Sequence, residues 1–283
     1  MSLKTVCIDP IREDLQEFDE EYPTLVEGSI FNSKGSKLLG VIHIAQGRGP
    51  HPTVILFHGF PGYEQNFDIA HVLLRAGYNV FVFHYRGSWG SEGSYSIANV
   101  LEDADSAINF LRSPHYAKEY RVDEKNIILI GHSLGGFATL MTAARHPEIK
   151  YAACIAGFNF GLMGETLLKD SNLKKETIKT WKDWVLPLNG ITAEKVVQEV
   201  IENRKDWNLI NIVEKLKGHS ILIIGGARDD IATIDEHYKP LIGALKEQNV
   251  CYKSVILNTD HGFCDKRISL QKEVLSWFEK ERV

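Results

Sequence analysis

Residues 127–136 read Ile127-Ile128-Leu129-Ile130-Gly131-His132-Ser133-Leu134-Gly135-Gly136, and Phe137 to Arg145 continue with few polar side chains. The first four residues are apolar on both faces of a pleat. A strand reads this way when helices cover both sides of a parallel sheet. Leu134–Arg145 reads as a helix. Between strand and helix stands G-x-S-x-G, in the context that this motif requires. The reason for the glycines is steric. A serine on so sharp a turn is held in a strained backbone conformation, and Gly131 and Gly135 remove side chains that would collide across it. The Ser133 hydroxyl is then lifted above the carboxyl edge of the sheet. The N–H of Leu134 points to the same place, from a helix N-terminus with its partial positive charge.

Outward from this stretch, short apolar runs alternate with helical ones. The runs are Thr53–Phe57, Tyr78–Phe83, Asn126–Ile130, Tyr151–Ala156, Ser220–Ile224 and Cys251–Leu257. In Val100–Leu111 the apolar positions Val100, Ala104, Ala107, Ile108 and Leu111 recur at three or four residues, the period of an amphipathic helix. Strands alternating with helices predict an α/β fold with a parallel sheet. Upstream, Thr24–Phe31 and Lys37–Ala45 read as a hairpin joined by the turn residues Asn32-Ser33-Lys34-Gly35. The acidic stretch 11–21 reads as a solvated surface helix stopped by Pro23. One interval breaks the rhythm. Between Ala156 and Ser220 no stretch reads as a strand. Trp181, Trp184 and Val185 share a helical face there, as do Val196, Val197, Val200 and Ile201. The chain is therefore expected to have a core of residues 1–156 and 219–283 and a helical insertion over 157–218.

The 283 residues carry a net charge of −5, with 44% apolar and 24% charged side chains. A general nucleic-acid binder would show a strongly basic face, and nothing here pulls the chain toward an anionic membrane. Cys7, Cys154, Cys251 and Cys264 form no C-x-x-C pair and no disulfide scaffold. They are expected to be reduced and mostly buried. Met1–Asp9 does not read as a signal peptide. No run approaches the roughly 18 apolar residues of a membrane span. The expectation is a soluble, cytoplasmic protein.

On these residues the chain resembles the α/β-hydrolase superfamily, from about Thr24 to Val283. His58-Gly59-Phe60-Pro61-Gly62 and Tyr85-Arg86-Gly87-Ser88-Trp89-Gly90-Ser91-Glu92-Gly93 place it nearest to serine esterases and acylaminoacyl-peptidase-like hydrolases. The resemblance implies an eight-stranded, mostly parallel sheet with a helical cap after the sixth strand, where 157–218 falls. A serine hydroxyl needs a base to become a nucleophile. Of 11 histidines, His261 is the one in a loop between the last predicted strand and the last helix, where the family keeps its base. The family's acid follows the seventh strand, commonly three residues past a glycine. Asp229, three past Gly226, is preferred, with Asp230 as the alternative. The resulting order of serine, acid, histidine is that of the fold. The oxyanion donors implied are the backbone N–H groups of Phe60 and Leu134.

The remaining polar residues of these motifs have structural readings. His58 holds its loop, Arg86 fixes local backbone, His132 packs beside the nucleophile, Asp260 stabilises its loop, and Cys264 is an inert buried thiol. Phe158, Met163, Trp181, Trp184 and Trp207 are candidates for an apolar acyl pocket, since ligand sites are mostly apolar with few placed polar groups. The reading is a serine hydrolase that cleaves a small-molecule carboxylic ester through an acyl-enzyme on Ser133, with no cofactor, no metal, no nucleic acid and no membrane partner. A small peptidase or amidase, or a thioesterase, would use the same machinery. A non-catalytic ligand-binding member of the fold is a more distant alternative.

Overall fold

The computed structural model describes residues 8–280. Cys7 and the rest of the N-terminal segment expected to lack a signal lie outside the described residues. In chain order the elements are β1 (Leu25–Ser33), β2 (Ser36–Ile44), β3 (His51–Phe57), α1 (Phe67–Arg75), β4 (Asn79–Phe83), α2 (Ile97–Arg112) and α3 (Pro114–Glu119). Then follow β5 (Val122–His132), α4 (Leu134–Ala143), β6 (Tyr151–Ile155), α5 (Phe160–Lys169), α6 (Ser171–Trp184) and α7 (Ala193–Glu202). The chain closes with β7 (Ser220–Gly226), α8 (Lys239–Glu247), β8 (Tyr252–Leu257) and α9 (Arg267–Lys280).

The strands form one eight-stranded sheet in the order β1-β2-β4-β3-β5-β6-β7-β8. β1 and β2 pair antiparallel, β2 joins β4 antiparallel, and every pair from β4 to β8 is parallel. The pleat divides each central strand between two cores. Ile55 and Phe57 of β3 face the core that holds Phe81, Phe83, Phe110 and Phe137. Val54 and Leu56 face the opposite one, with Leu73, Leu270, Val274 and Trp277. A strand that must serve two cores has no room for a polar alternation, which is why these runs are apolar throughout.

Some boundaries differ from the sequence expectation for local reasons. The hairpin turn shortens to Lys34 and Gly35, both at positive φ (50° and 87°), because the right-handed strand twist favours a two-residue turn of that kind. Residues 11–21 form no helix. Side chains within and just before the stretch take backbone N–H groups that a helix would need: Asp19 Oδ1 accepts from the N–H of Glu21 and of Tyr22, and Asp9 Oδ1 from that of Ile11. Short polar side chains compete with helix in this way. Cys154 is buried, whereas Cys251 and Cys264 are exposed, which corrects the expectation of mostly buried thiols.

Between β6 and β7 lie α5, α6, α7 and a short 3-10 turn at Val213–Leu216, with no strand among them. This stretch is tied down on the side of the loop after β4. The Asn189 N–H donates to the Gly87 carbonyl at 2.7 Å, and the Tyr95 N–H donates to the Asn189 carbonyl at 2.8 Å. Glu199 of α7 reaches across to α2, where its carboxylate accepts from the N–H groups of Ile97 and Ala98 at 3.0 Å each. A carboxylate there meets the unpaired donors and positive end of the helix. Among the described residues no helix is long and apolar enough to cross a membrane.

Candidate active site

The loops that matter all leave the carboxyl ends of parallel strands, where open α/β sheets bind ligands. Ser133 follows β5, Gly59 and Phe60 follow β3, Phe158 follows β6, Asp229 follows β7 and His261 follows β8. Ser133 has φ 58° and ψ −117°. Positive φ in a residue with a side chain is strained and persists only where the surroundings enforce it. Here they do. The Ser133 N–H donates to the Ile155 carbonyl of β6 at 2.9 Å, and its carbonyl accepts from the Phe137 N–H inside α4 at 3.1 Å. The flanking glycines are obligatory. A Cβ at Gly131 would stand 2.0 Å from the Gly135 oxygen, and one at Gly135 would stand 2.1 Å from the Phe57 oxygen.

His261 Nδ1 donates to Asp229 Oδ2 at 2.8 Å. The other oxygen, Oδ1, accepts from the N–H groups of Ile231 at 2.9 Å and Ala232 at 2.8 Å. Burial by itself would raise the Asp229 carboxyl. The bond and charge of His261 and the two backbone donors outweigh it and hold the group below its ordinary range. Asp230 is exposed on the cavity wall. The ambiguity between the two aspartates is thus resolved geometrically: Asp229 is the one joined to the imidazole. Asp260 stands aside, with its Oδ1 accepting from the Cys264 N–H at 2.9 Å.

Phe60 and Leu134 each present a backbone N–H that meets no acceptor among the described residues. The Phe60 loop is held in place around them. His58 Nδ1 donates to the Gly59 carbonyl at 2.8 Å, the Tyr85 hydroxyl donates to the His58 carbonyl at 3.0 Å, and Trp89 Nε1 donates to the Pro61 carbonyl at 2.7 Å. Burial pushes the His58 imidazole down to about 3, so it is a neutral brace. Arg86 is buried in a salt bridge, with Nε 2.6 Å from Asp103 Oδ1, while its own N–H donates to Asp103 Oδ2 at 2.8 Å. It therefore fixes the loop after β4 and is not available to a ligand.

A cavity of about 620 Å³ opens over Ser133 and His261. Phe60, Phe158, Met163, Trp181 and Trp184 line it. Phe60 stands 5.7 Å from Trp181 and 6.2 Å from Trp184 between ring centroids, so the loop after β3 and α6 meet in one aromatic wall. Trp207 does not belong to this wall, contrary to expectation. It is buried with its ring 6.0 Å from Phe137 of α4, and it fastens the stretch between β6 and β7 to that helix. Cys264 is exposed rather than buried. Its N–H is held by Asp260 Oδ1, and the Asp260 carboxylate raises its thiol.

Sequence reading missed Tyr63, Glu64, Leu173, Glu176, Thr177, Thr180 and Ile231 as cavity residues. The helical period that links Trp181 and Trp184 extends back through Thr177 to Leu173 and would have found those two. Glu176 carries no such signal, since a carboxylate on an apolar face reads as surface. Glu64, Glu176 and Asp230 line the cavity together, and none joins an ion pair among the described residues. No lysine or arginine lines it.

Residues 52–189 match the family model described as alpha/beta hydrolase fold. The chain is 25% identical over 187 residues to the alpha/beta hydrolase domain-containing protein WAV2 of Arabidopsis thaliana, a match covering 64% of this chain and 54% of that protein. The chain thus spans about half the length of that relative. Among solved structures, the acylaminoacyl peptidase of Pyrococcus horikoshii superposes with a TM-score of 0.68 at 19% identity, over 90% of this chain and 41% of that one. Est1E from Butyrivibrio proteoclasticus superposes with a TM-score of 0.65 at 16% identity, over 89% and 98% of the two chains. At such identities the likeness is one of fold.

Proposed function

We propose that this chain, a member of the α/β-hydrolase superfamily, is a serine hydrolase of carboxylic esters. The observation that carries the reading is the 2.8 Å bond from His261 Nδ1 to a buried Asp229, with that histidine and the strained Ser133 lining one cavity. A proton held on Nδ1 leaves Nε2 as the basic nitrogen. In this mechanism His261 Nε2 takes the hydroxyl proton as Ser133 Oγ attacks the acyl carbon. The negative charge that develops on the carbonyl oxygen is met by the N–H groups of Phe60 and Leu134. Such preorganised donors, aimed where charge develops, are usually the largest single contribution. His261 then protonates the departing alcohol. Water, deprotonated by the same nitrogen, releases the acid from Ser133. Asp229 remains ionised and orients the imidazole. Phe158, Met163, Trp181 and Trp184 receive the acyl chain.

A second reading keeps the machinery and changes the substrate. Glu64, Glu176 and Asp230 give the cavity three carboxylates without a basic partner. They favour a substrate with a free ammonium group, as in aminoacyl amides and esters. The test is a panel of p-nitrophenyl esters of graded acyl length run beside aminoacyl anilides, after labelling with a fluorophosphonate. A single label on Ser133 with ester turnover supports the first reading. Anilide turnover above that of matched neutral esters supports the second. No label and no turnover of either class refutes both.

A further inference from the structure

One imidazole lining the cavity has no part in these steps. His132 is the last residue of β5 and precedes Ser133 directly. Its ring lies 4.8 Å from that of His261 between centroids, and its Nε2 is 2.7 Å from the main-chain oxygen of His261. A carbonyl oxygen only accepts, so Nε2 carries the proton. Burial, reinforced by the nearby His261, pushes the ring down to about 3. It is therefore a neutral donor through the ordinary pH range. Nδ1 is left as a buried acceptor without a partner. A Cβ placed on Gly59 would stand 3.5 Å from this nitrogen and 3.1 Å from Ser133 Cβ. The ring thus fills the space shared by the nucleophile turn, the loop after β3 and the loop that carries His261. An unpaired buried nitrogen is costly, and an apolar side chain of similar size would avoid that cost. What such a side chain lacks is the Nε2–H.

The remaining ties on that loop act beside His261 and reach it from α9, from the loop after β7 or from within: the Arg228 N–H donates to the Thr259 carbonyl at 2.9 Å, and Arg228 Nη2 donates to Asp265 Oδ2 at 2.7 Å. Arg267 Nη1 donates to the Gly262 carbonyl at 3.1 Å, and Asp260 Oδ1 accepts from the Cys264 N–H at 2.9 Å. The bond from His132 is different. It comes from the end of the strand that carries Ser133, where His132 pairs with Ile155 of β6 in the ladder. Asp229 orients the imidazole of His261; His132 holds its backbone.

We infer that His132 is a positioning residue whose Nε2–H fastens the main chain of His261 to the nucleophile strand and so sets the separation of base and nucleophile. The inference rests on the reading of Ser133 as nucleophile and His261 as base. Geometry of this kind is steeply weighted, since a displacement of about 1 Å can cost on the order of 100-fold in rate.

The test compares three variants of the full chain. His132→Gln carries an amide donor to about where Nε2 stood. His132→Asn carries one that is too short. His132→Leu carries none. Each is assayed for kcat and KM, for the rate of Ser133 capture by a small neutral fluorophosphonate, for thermal stability, and for the downfield proton resonance of His261 Nδ1–H. His132→Leu and His132→Asn should lose about 30- to 100-fold in kcat and in capture rate with KM little changed, and the downfield resonance should broaden. His132→Gln should recover most of the rate. If His132→Leu does not fold, the ranking of Gln over Asn decides. Activity that follows thermal stability alone, or equal rates for Gln and Asn, overturns the inference. Failure of the wild-type protein to label on Ser133 overturns the functional reading first, and the inference with it.

Discussion

The carboxyl edge of the sheet and the helices between β6 and β7 face each other across one cavity, but they hold their residues by different means. On the sheet side the positions are set by hydrogen bonds to backbone groups. Ser133 is pinned by a ladder bond to Ile155 and by its carbonyl in α4, Asp229 by two N–H donors, and the Phe60 loop by His58, Tyr85 and Trp89. On the helical side the wall is a face of side chains, Leu173, Thr177, Trp181 and Trp184, held by packing. Backbone restraints tolerate little displacement. Packed side chains can be exchanged for others of similar volume at modest cost. Under the proposed function, the sheet edge carries the chemistry and the helices carry the selectivity.

The sharpest way to break that assignment is at the sheet edge. Ser133→Ala should lower kcat by about 10⁶, as removal of a triad nucleophile does, and abolish phosphonate labelling. Asp229→Asn should cost about 10⁴ through the wrong tautomer. Asp230→Asn should cost less than about tenfold, because its exposed carboxylate makes no bond to His261. The reverse ranking of the two aspartates, read from ester turnover, would overturn the site.

The sheet side should also be the acid-sensitive one. Burial holds His58 and His132 down to about 3 and His237 to about 4, against an ordinary 6.5. Below pH 6.5 the unfolded chain takes up protons on these imidazoles that the folded chain refuses. Folding stability therefore falls as pH falls, and continues to fall toward their folded values. One such group is worth about 1.4 kcal/mol per pH unit, so the three together withdraw on the order of 4 kcal/mol per unit. Urea midpoints at pH 7, 6 and 5 check this; a flat response contradicts it.

Within the helices, the tryptophans should separate. Trp207→Ala should cost about 3–5 kcal/mol of stability, the usual penalty for a buried aromatic, and leave the rank order of esters intact. Trp181→Ala, Trp184→Ala and Met163→Ala should instead shift the preferred acyl length, with changes of about 10- to 200-fold in kcat/KM between esters. Uniform losses across the ester panel would make that wall structural. The smallest effect is expected at Glu176. Glu176→Gln should change the ratio of ammonium-bearing to carboxylate-bearing esters by about threefold at low salt, and less at high salt, because the group is exposed and screened. An unchanged ratio removes Glu176 from selectivity.

The Ser133 turn was legible because its hydroxyl and the sterics that lift it fall within one pentapeptide. The double-sided strands were legible because burial on both faces leaves no polar alternation. The cavity was less so. Trp181 and Trp184 share a face that can meet either a ligand or a neighbouring helix, and nothing in their spacing says which. Trp207 has the same chemistry and packs on Phe137 instead. The acidic stretch near the N-terminus carries composition suited to a helix, yet Asp19 within it and Asp9 just before it bond to nearby backbone N–H groups.

By itself the sequence determined the α/β alternation, the strained serine between its glycines, and the stretch without strands. Each is a local pattern whose physical cause lies within a few residues. Only the tertiary structure decided that Asp229 and not Asp230 meets His261, that Trp207 is turned away from the cavity, and that His132 grips the backbone of a residue 129 positions away. Those outcomes depend on where loops from β3, β5, β7 and β8 converge, and convergence of distant segments leaves no periodic trace in the chain.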